Sequence, residues 1–195
     1  MKRVRQPSLE TERLVMRPFR LADVDAIAGL ANDEAVARNT LNIPYPYARD
    51  DAVAWVTSHA EQLERREAVT YAVTERGLDR VVGAVGLILE LEHERAELGY
   101  WLGRPYWGRG YATEAAAAVV RWGFEAFDLH RIHASHFPRN PASGRVLEKL
   151  GMRREGRLRE HVLKWGEHLD LVRFGILRSD LDGETGRGPE PGPPG

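Results

Sequence analysis

Seven residues near the middle of the chain, Trp107-Gly108-Arg109-Gly110-Tyr111-Ala112-Thr113, restrict the fold more than any other stretch. An apolar run ends at Leu102, two glycines follow at alternate positions, and a helical pattern begins at once. Glycines let the backbone turn tightly and remove side chains that would block an incoming group. The N–H groups of such a loop and of the first helical turn point at one spot, which suits a phosphate or pyrophosphate. On the glycines alone, a plain strand-to-helix turn is the favoured reading. A P-loop requires Lys-Ser/Thr after its last glycine, and Tyr111-Ala112 stands there instead. A dinucleotide fingerprint requires a third glycine, which Tyr111-Ala112-Thr113 does not supply, and an opening βαβ unit.

The loop follows strands that read as an antiparallel meander. Val69 to Thr74 and Val81 to Leu91 are predicted strands with a turn at Gly77 to Asp79, and Ala96 to Leu102 is a third. Upstream, Arg13 to Phe19 alternates as a strand. Leu21 to Ala31 reads as a helix with Asp23 and Asp25 in its first turn. Two prolines exclude regular structure from Asn42 to Tyr47, and Asp50 and Asp51 open a second helix. Downstream, Thr113 to Phe127 is a long helix with an apolar stripe, and Arg131 to Phe137 is a strand. Asn140 as N-cap, Pro141 at the first helical position and Gly151 as stop define a helix over 141–150. Two last strands, about 152–162 and 168–178, flank a turn at Trp165 to Glu167. The order predicts an α/β (α+β) fold: a mixed sheet of about seven strands, mostly antiparallel, with about four helices.

Composition narrows the function classes. The 195 residues are 43% hydrophobic and 29% charged, ordinary for one soluble domain. A formal net charge of −1 favours neither nucleic acid nor an anionic membrane as partner. With no cysteine, disulfides, thiolate metal sites and a cysteine acyl-enzyme are excluded. The start lacks the apolar core of a secretory signal, and no run reaches the roughly 18 apolar residues of a membrane helix, so a cytoplasmic location is expected. Residues 182–195, rich in glycine and proline, are expected to be a disordered tail after a single domain over 8–181. His130, His133 and His136 recur every third residue, but strand residues three apart face opposite sides, so no metal site is expected.

Four stretches in order carry a resemblance: Gly99-Tyr100-Trp101-Leu102, Pro105 to Ala115, Asn140-Pro141-Ala142-Ser143, and Leu147-Glu148-Lys149-Leu150-Gly151-Met152. Together they resemble the GNAT (GCN5-related) N-acetyltransferase superfamily. The opening Leu9-Glu10-Thr11-Glu12-Arg13-Leu14 with Arg17-Pro18 is similar to its RimJ/RimL branch, which acetylates N-termini of ribosomal proteins. The similarity spans roughly residues 8–178. It implies a GNAT fold with a splayed central strand, and acetyl-CoA as co-substrate without a metal. The superfamily's phosphate loop, Gln/Arg-x-x-Gly-x-Gly/Ala, falls on Trp107, Gly110 and Ala112, so that Trp107, Gly108, Arg109, Gly110, Tyr111, Ala112 and Thr113 would hold the pyrophosphate. The main chain of Tyr100, Trp101 and Leu102 would bind the pantetheine arm and thioester, with Asn140 and Ser143 beside them.

The chemistry implied is direct attack of an uncharged amine on a thioester within a ternary complex. An α-amino group ionises near 7.7–8.0 and a lysine near 10.4, so an N-terminal acceptor needs the weaker base. Glu97, on the same strand face as Trp101, is the candidate general base through water; a solvated carboxylate or an ion pair is the alternative. The family's general-acid tyrosine corresponds here to Leu147, so the hydroxyl role would pass to Ser143, which could otherwise only bond backbone in the first helical turn. An acid that RimL-like members carry in the penultimate strand corresponds to Val162, with Glu160 and His161 close by. Trp55, Tyr45 and Tyr47 are candidates to line an acceptor cleft, or simply to pack. The expected acceptor is a protein or peptide N-terminal α-amino group, with a small-molecule amine (antibiotic, polyamine or amino acid) and a non-catalytic acyl-CoA-binding module as alternatives. The protein is expected to be a monomer or homodimer.

Overall fold

A computed structural model describes residues 6–181. Strands β1 (Leu9–Glu10) and β2 (Leu14–Pro18) open the chain. A 3-10 turn, Leu21–Asp23, leads into α1 (Val24–Ala31), followed by α2 (Glu34–Arg38) and α3 (Arg49–Glu64). The meander β3 (Ala68–Glu75), β4 (Arg80–Glu90) and β5 (Arg95–Leu102) comes next. Then come α4 (Tyr111–Phe127), β6 (Arg131–His136), α5 (Pro141–Lys149), β7 (Arg153–Lys164), β8 (Glu167–Leu177) and α6 (Arg178–Leu181). The eight strands form one sheet in the order β1-β2-β3-β4-β5-β6-β8-β7.

Every neighbouring pair is antiparallel except β5 and β6. A parallel pair needs a crossover long enough to return the chain to the same end of the sheet, and α4 supplies it. Each face of the sheet carries a core. Leu87, Leu98, Val119, Phe124, Ile132 and Phe174 belong to the large core between the sheet and α4 and α5. On the opposite face, Val24, Ile27, Tyr47, Ala52 and Val56 form a smaller core under α1 and α3, joined by Trp55 and Trp101. Tyr47 is therefore packing rather than cleft lining, whereas Tyr45 is 46% exposed.

The described residues hold eight strands and six helices, against about seven and four expected from sequence. The additions are elements too short for periodicity to reveal. β1 has two residues and α2 has five, and α2 is marked only by Asp33, whose carboxylate accepts the Ala35 amide at 2.8 Å. The helix expected over 21–31 is broken into a 3-10 turn and α1 because Asp23 serves tertiary structure. Its carboxylate accepts both ends of the Arg17 fork at 2.8 Å and the Arg20 amide at 2.8 Å. Arg17, 5% exposed, also donates to Asp79 at 2.6 Å. The fork thus ties β2 to the β3–β4 turn with its charge fully satisfied, the condition under which a buried ion is tolerated. No helix among the described residues is long and apolar enough to cross a membrane. The tail expected over 182–195 lies outside the described residues.

β4 and β5 approach closely at Gly83, which has no side chain to hold them apart. A Cβ on Gly83 would collide with the Trp101 carbonyl oxygen and stand 2.7 Å from Leu102 Cα, both backbone atoms that cannot yield. A Cβ on Gly99 would meet nothing within 4 Å. Gly83→Ala is therefore expected to lower unfolding free energy by about 1–3 kcal/mol, the usual cost of overpacking. Gly99→Ala is expected to stay within about 0.5 kcal/mol of the parent. Urea midpoints of the two variants check the contrast, and equal midpoints would contradict the packing described.

Candidate active site

β5 and β6 pair only over Arg95, Ala96 and Glu97 with Arg131, Ile132 and His133. Beyond that, β5 continues to Leu102 on β4, and β6 continues to His136 on β8. The two strands part and leave a wedge-shaped opening in the middle of the sheet. The Gly103 amide donates to the Val82 carbonyl at 2.9 Å. In an antiparallel ladder, alternate residues bond to opposite sides, so this bond sets the phase: Tyr100 and Leu102 turn their main chains toward the opening. Trp107 confirms the direction, since its indole N–H donates to the Leu102 carbonyl at 2.7 Å. That bond also explains a tryptophan at this position. It braces the glycine loop against the end of β5 and keeps its ring 43% exposed.

The glycine loop stands at the head of the opening. Gly108 and Gly110 have φ of 74° and 79°, a left-handed backbone that disfavours side chains. Left-handed residues in such a turn can bring successive amides toward a common concavity, the arrangement that binds anions. Gly110 is the N-cap of α4 and provides no side-chain cap. Among the described residues, none of the main-chain amides from 108 to 113 has a hydrogen-bond acceptor. The N-terminal dipole of the 17-residue helix α4 adds positive potential at the same point.

Glu114 holds this loop in place. Its Oε1 accepts from Thr11 Oγ1 at 2.7 Å and from the Arg13 amide at 2.9 Å, and its Oε2 accepts from Arg13 Nε at 2.7 Å. Arg13 also donates to the Arg109 carbonyl at 2.9 Å. The turn between β1 and β2 is thereby clamped to the first turn of α4. Burial raises the Glu114 pKa, but these bonds outweigh it and hold the carboxyl below its usual range.

On the far side of the opening lies the start of α5. Asn140 caps the helix, its Oδ1 accepting the Ser143 amide at 3.3 Å. Tyr100 reaches across from β5: its hydroxyl shares a 2.7 Å hydrogen bond with Ser143 Oγ and donates to the Ser143 carbonyl at 3.2 Å. Burial pushes the Tyr100 pKa up to about 12, with the Ser143 bond opposing. Sequence reasoning assigned only the Tyr100 main chain. Its parity with Leu98 and Leu102, both core residues on the helix side, was the available signal for the side chain. Leu147 is fully buried in the large core.

The opposite face of the sheet carries the acid–base groups. In cross-strand rows, Ile88, Glu97, His133 and Gly175 stand side by side, and Gly86 and Gly99 form the next row. Glu97 and Trp101 therefore flank a floor without side chains at Gly99. Burial raises the Glu97 pKa above the usual carboxylate range. The Arg173 guanidinium opposes this, Glu90 adds to it, and His161 opposes it. His133 is driven down to about 4, chiefly by burial and then by Arg173 and Arg131, so it is neutral near pH 7. His136 faces the other way, its ring 2.9 Å from where a Gly144 Cβ would lie on α5. Trp55 stacks edge-on with Phe19 at 5.0 Å and His59 at 4.6 Å, and lies 6.3 Å from Trp101. This aromatic group adjoins Trp101, two residues along β5 from the open position at Gly99.

Simple alternation fails in β7. Leu158 pairs with Leu171 and Val162 with Leu169, so β7 carries extra residues between them. Glu160 takes φ of 48° and donates its amide to Asp170 at 2.7 Å. Such bulges redirect side chains, and parity counted from Val162 does not carry through to Glu160 and His161.

The comparisons with known proteins agree with this geometry. A family model described as an acetyltransferase (GNAT) domain matches residues 13–153. An uncharacterised N-acetyltransferase of Bacillus subtilis, YoaA, is 30% identical over 88% of this chain and 97% of its own length. The Escherichia coli [ribosomal protein uS5]-alanine N-acetyltransferase is 27% identical over 88% and 91%. A crystal structure of a GNAT-family acetyltransferase from Bacillus anthracis, 29% identical, superposes with a TM-score of 0.78 over 88% of this chain and 98% of that one. A parted central strand pair headed by an unsatisfied amide loop and a matching family model lead to one conclusion: the chain belongs to the GNAT acetyltransferases, an acyltransferase enzyme family whose members include ribosomal-protein N-acetyltransferases.

Proposed function

We propose that this chain transfers acetyl from acetyl-CoA to a primary amine, the α-amino group of a protein or peptide N-terminus, by direct attack in a ternary complex. One observation carries the reading. The amides of 108–113, without acceptors among the described residues, stand at the head of an opening lined by the main chain of β5. The loop fits a pyrophosphate, and the free edge of Tyr100-Trp101-Leu102 fits an extended pantetheine arm. A thioester in the opening would lie between Gly99 on one face and Ser143 on the other.

The roles follow from the two faces. An amine resting over Gly99 attacks the thioester carbon, the new C–N bond forms, and the C–S bond breaks. Glu97 takes the proton leaving the amine through a bridging water, with its raised pKa moving it toward the operating pH. The tetrahedral oxyanion is met by a main-chain amide of the Tyr100–Leu102 edge. CoA departs as the thiolate, which accepts a hydrogen bond from the Ser143 hydroxyl, itself positioned by Tyr100, and takes its proton from solvent. The E. coli relative, a [ribosomal protein uS5]-alanine N-acetyltransferase, supports an α-amino acceptor, because alanine has no side-chain amine. A thiol-release assay across Ser- and Ala-starting peptides and small amines tests the acceptor. Turnover of small amines alone would replace it with a small-molecule acetyltransferase, and CoA binding without any turnover would leave a binding module.

Gly110→Val is expected to weaken CoA binding by about tenfold or more, equivalent to ~1.4 kcal/mol, in a folded protein. Isothermal calorimetry reads it, and unchanged affinity would remove the phosphate-loop assignment. Ser143→Ala is expected to lower kcat about a hundredfold while KM for acetyl-CoA stays within about threefold. In the pH profile of kcat/KM, the rate falls below the amine's own ionisation near 7.7–8.0. It falls more steeply again below the Glu97 pKa, because Glu97 must be ionised to accept a proton. Glu97→Gln is expected to lose that second bend and about 10²–10⁴-fold in rate; a variant profile still bending there would exclude Glu97 as base.

A further inference from the structure

Across the opening from Gly99, one cation is left without a carboxylate. The row that holds Gly86 and Gly99 on one side continues on the other with Ser135 on β6 and Arg173 on β8, which pair directly, and then Gly156 on β7. Ser135 and Arg173 lie on the same sheet face as His133, two residues from it and from Gly175 along each strand. Three nearby arginines are engaged elsewhere. Arg131 is bonded to Glu155, Arg157 pairs with Asp170 at 2.5 Å, and Arg153 pairs with Asp180 at 3.0 Å. Arg173, half-buried, forms neither a salt bridge nor a side-chain hydrogen bond among the described residues. Beside it, the Ser135 hydroxyl is buried and has no hydrogen-bond partner. Burying a hydroxyl unpaired costs free energy, and this one stands beside a half-buried cation that has no ion-pair partner among the described residues.

Other charges around them do not close the gap. The positive charge of Arg173 is felt at Glu97, His133 and Glu155, yet none of these is within ion-pair distance of it. Gly156, the next residue along the row, adds no side chain that could cover the guanidinium.

We propose that Arg173, with Ser135, binds a carboxylate on the acceptor, so that the enzyme selects amines lying one or two residues from an acidic group. This rests on the acceptor cleft proposed above. β8 is two strand spacings from Gly99, roughly 10 Å or more. Part of that span is covered by the arginine side chain. An extended peptide advances about 3.4 Å per residue, so an amine over Gly99 brings the side chain of its first or second residue to Arg173. The acceptor class is therefore an N-terminus carrying Asp or Glu at position one or two.

The test compares acetylation of peptide pairs that differ only by acid against amide, Ser-Asp against Ser-Asn and Ala-Glu against Ala-Gln. The parent enzyme is expected to favour the acidic member by about 10–100-fold in kcat/KM, the range of a hydrogen-bonded charge, and less so at high salt. Arg173→Gln is expected to abolish the preference through KM for the acidic peptide, so that acid and amide members are used equally, with CoA affinity unchanged. Arg173→Glu is expected to turn the preference toward Ser-Lys. Equal kcat/KM for acid and amide in the parent enzyme, or an unaltered ratio in Arg173→Gln, would overturn the assignment while leaving N-terminal acetylation intact. No turnover of any peptide, with CoA still bound, would instead defeat the acceptor reading and this inference together.

Discussion

Three cross-strand pairs hold β5 to β6, and the site exists because the pairing stops there. Each strand keeps its other neighbour, so the edges beyond Glu97 and His133 are freed without unravelling the sheet. An unpaired main-chain edge inside a protein is costly unless something satisfies it. This chain meets part of that demand internally, with the Trp107 indole on Leu102, and closes the gap at one height with Tyr100 on Ser143. What is left open is a slot with hydrogen-bonding walls, which suits an extended polar arm better than a compact ligand.

β5 separates two kinds of chemistry by side-chain parity alone. Even-numbered residues from Ala96 to Leu102 face α4 and α5, where Tyr100 meets Ser143. Odd-numbered residues, Glu97, Gly99 and Trp101, face the smaller cleft under the aromatic group of Phe19, Trp55 and His59. The hydroxyl pair lies on one side, the carboxylate and its neighbouring histidine on the other, and the parting of the strands lies between them.

Much of this was legible in sequence because it is written in local signals. Glycines with left-handed backbone, an Asn-Pro helix start and strand alternation are properties of neighbouring residues, and they located the loop, α5 and Glu97. The fold class followed from element order. What escaped depends on register between distant strands. Arg173 and Ser135 lie 38 residues apart and meet only through the β6–β8 ladder. Asp23 was read as a helix-start acid, whereas most of its bonding goes to Arg17, six residues earlier. The β7 bulge has no local signal because Asp170, which captures the Glu160 amide, sits on the partner strand.

The open space at Gly99 bears on how such a protein can change. Nothing lies within 4 Å of the position its side chain would take, whereas Gly83 on the adjacent strand is hemmed in by backbone. The cleft floor can thus be reshaped one substitution at a time without passing through unstable intermediates, a freedom that most buried positions lack. Innovation in what the cleft holds is uncoupled from upkeep of the scaffold, because the residue that shapes the one contributes almost nothing to the other.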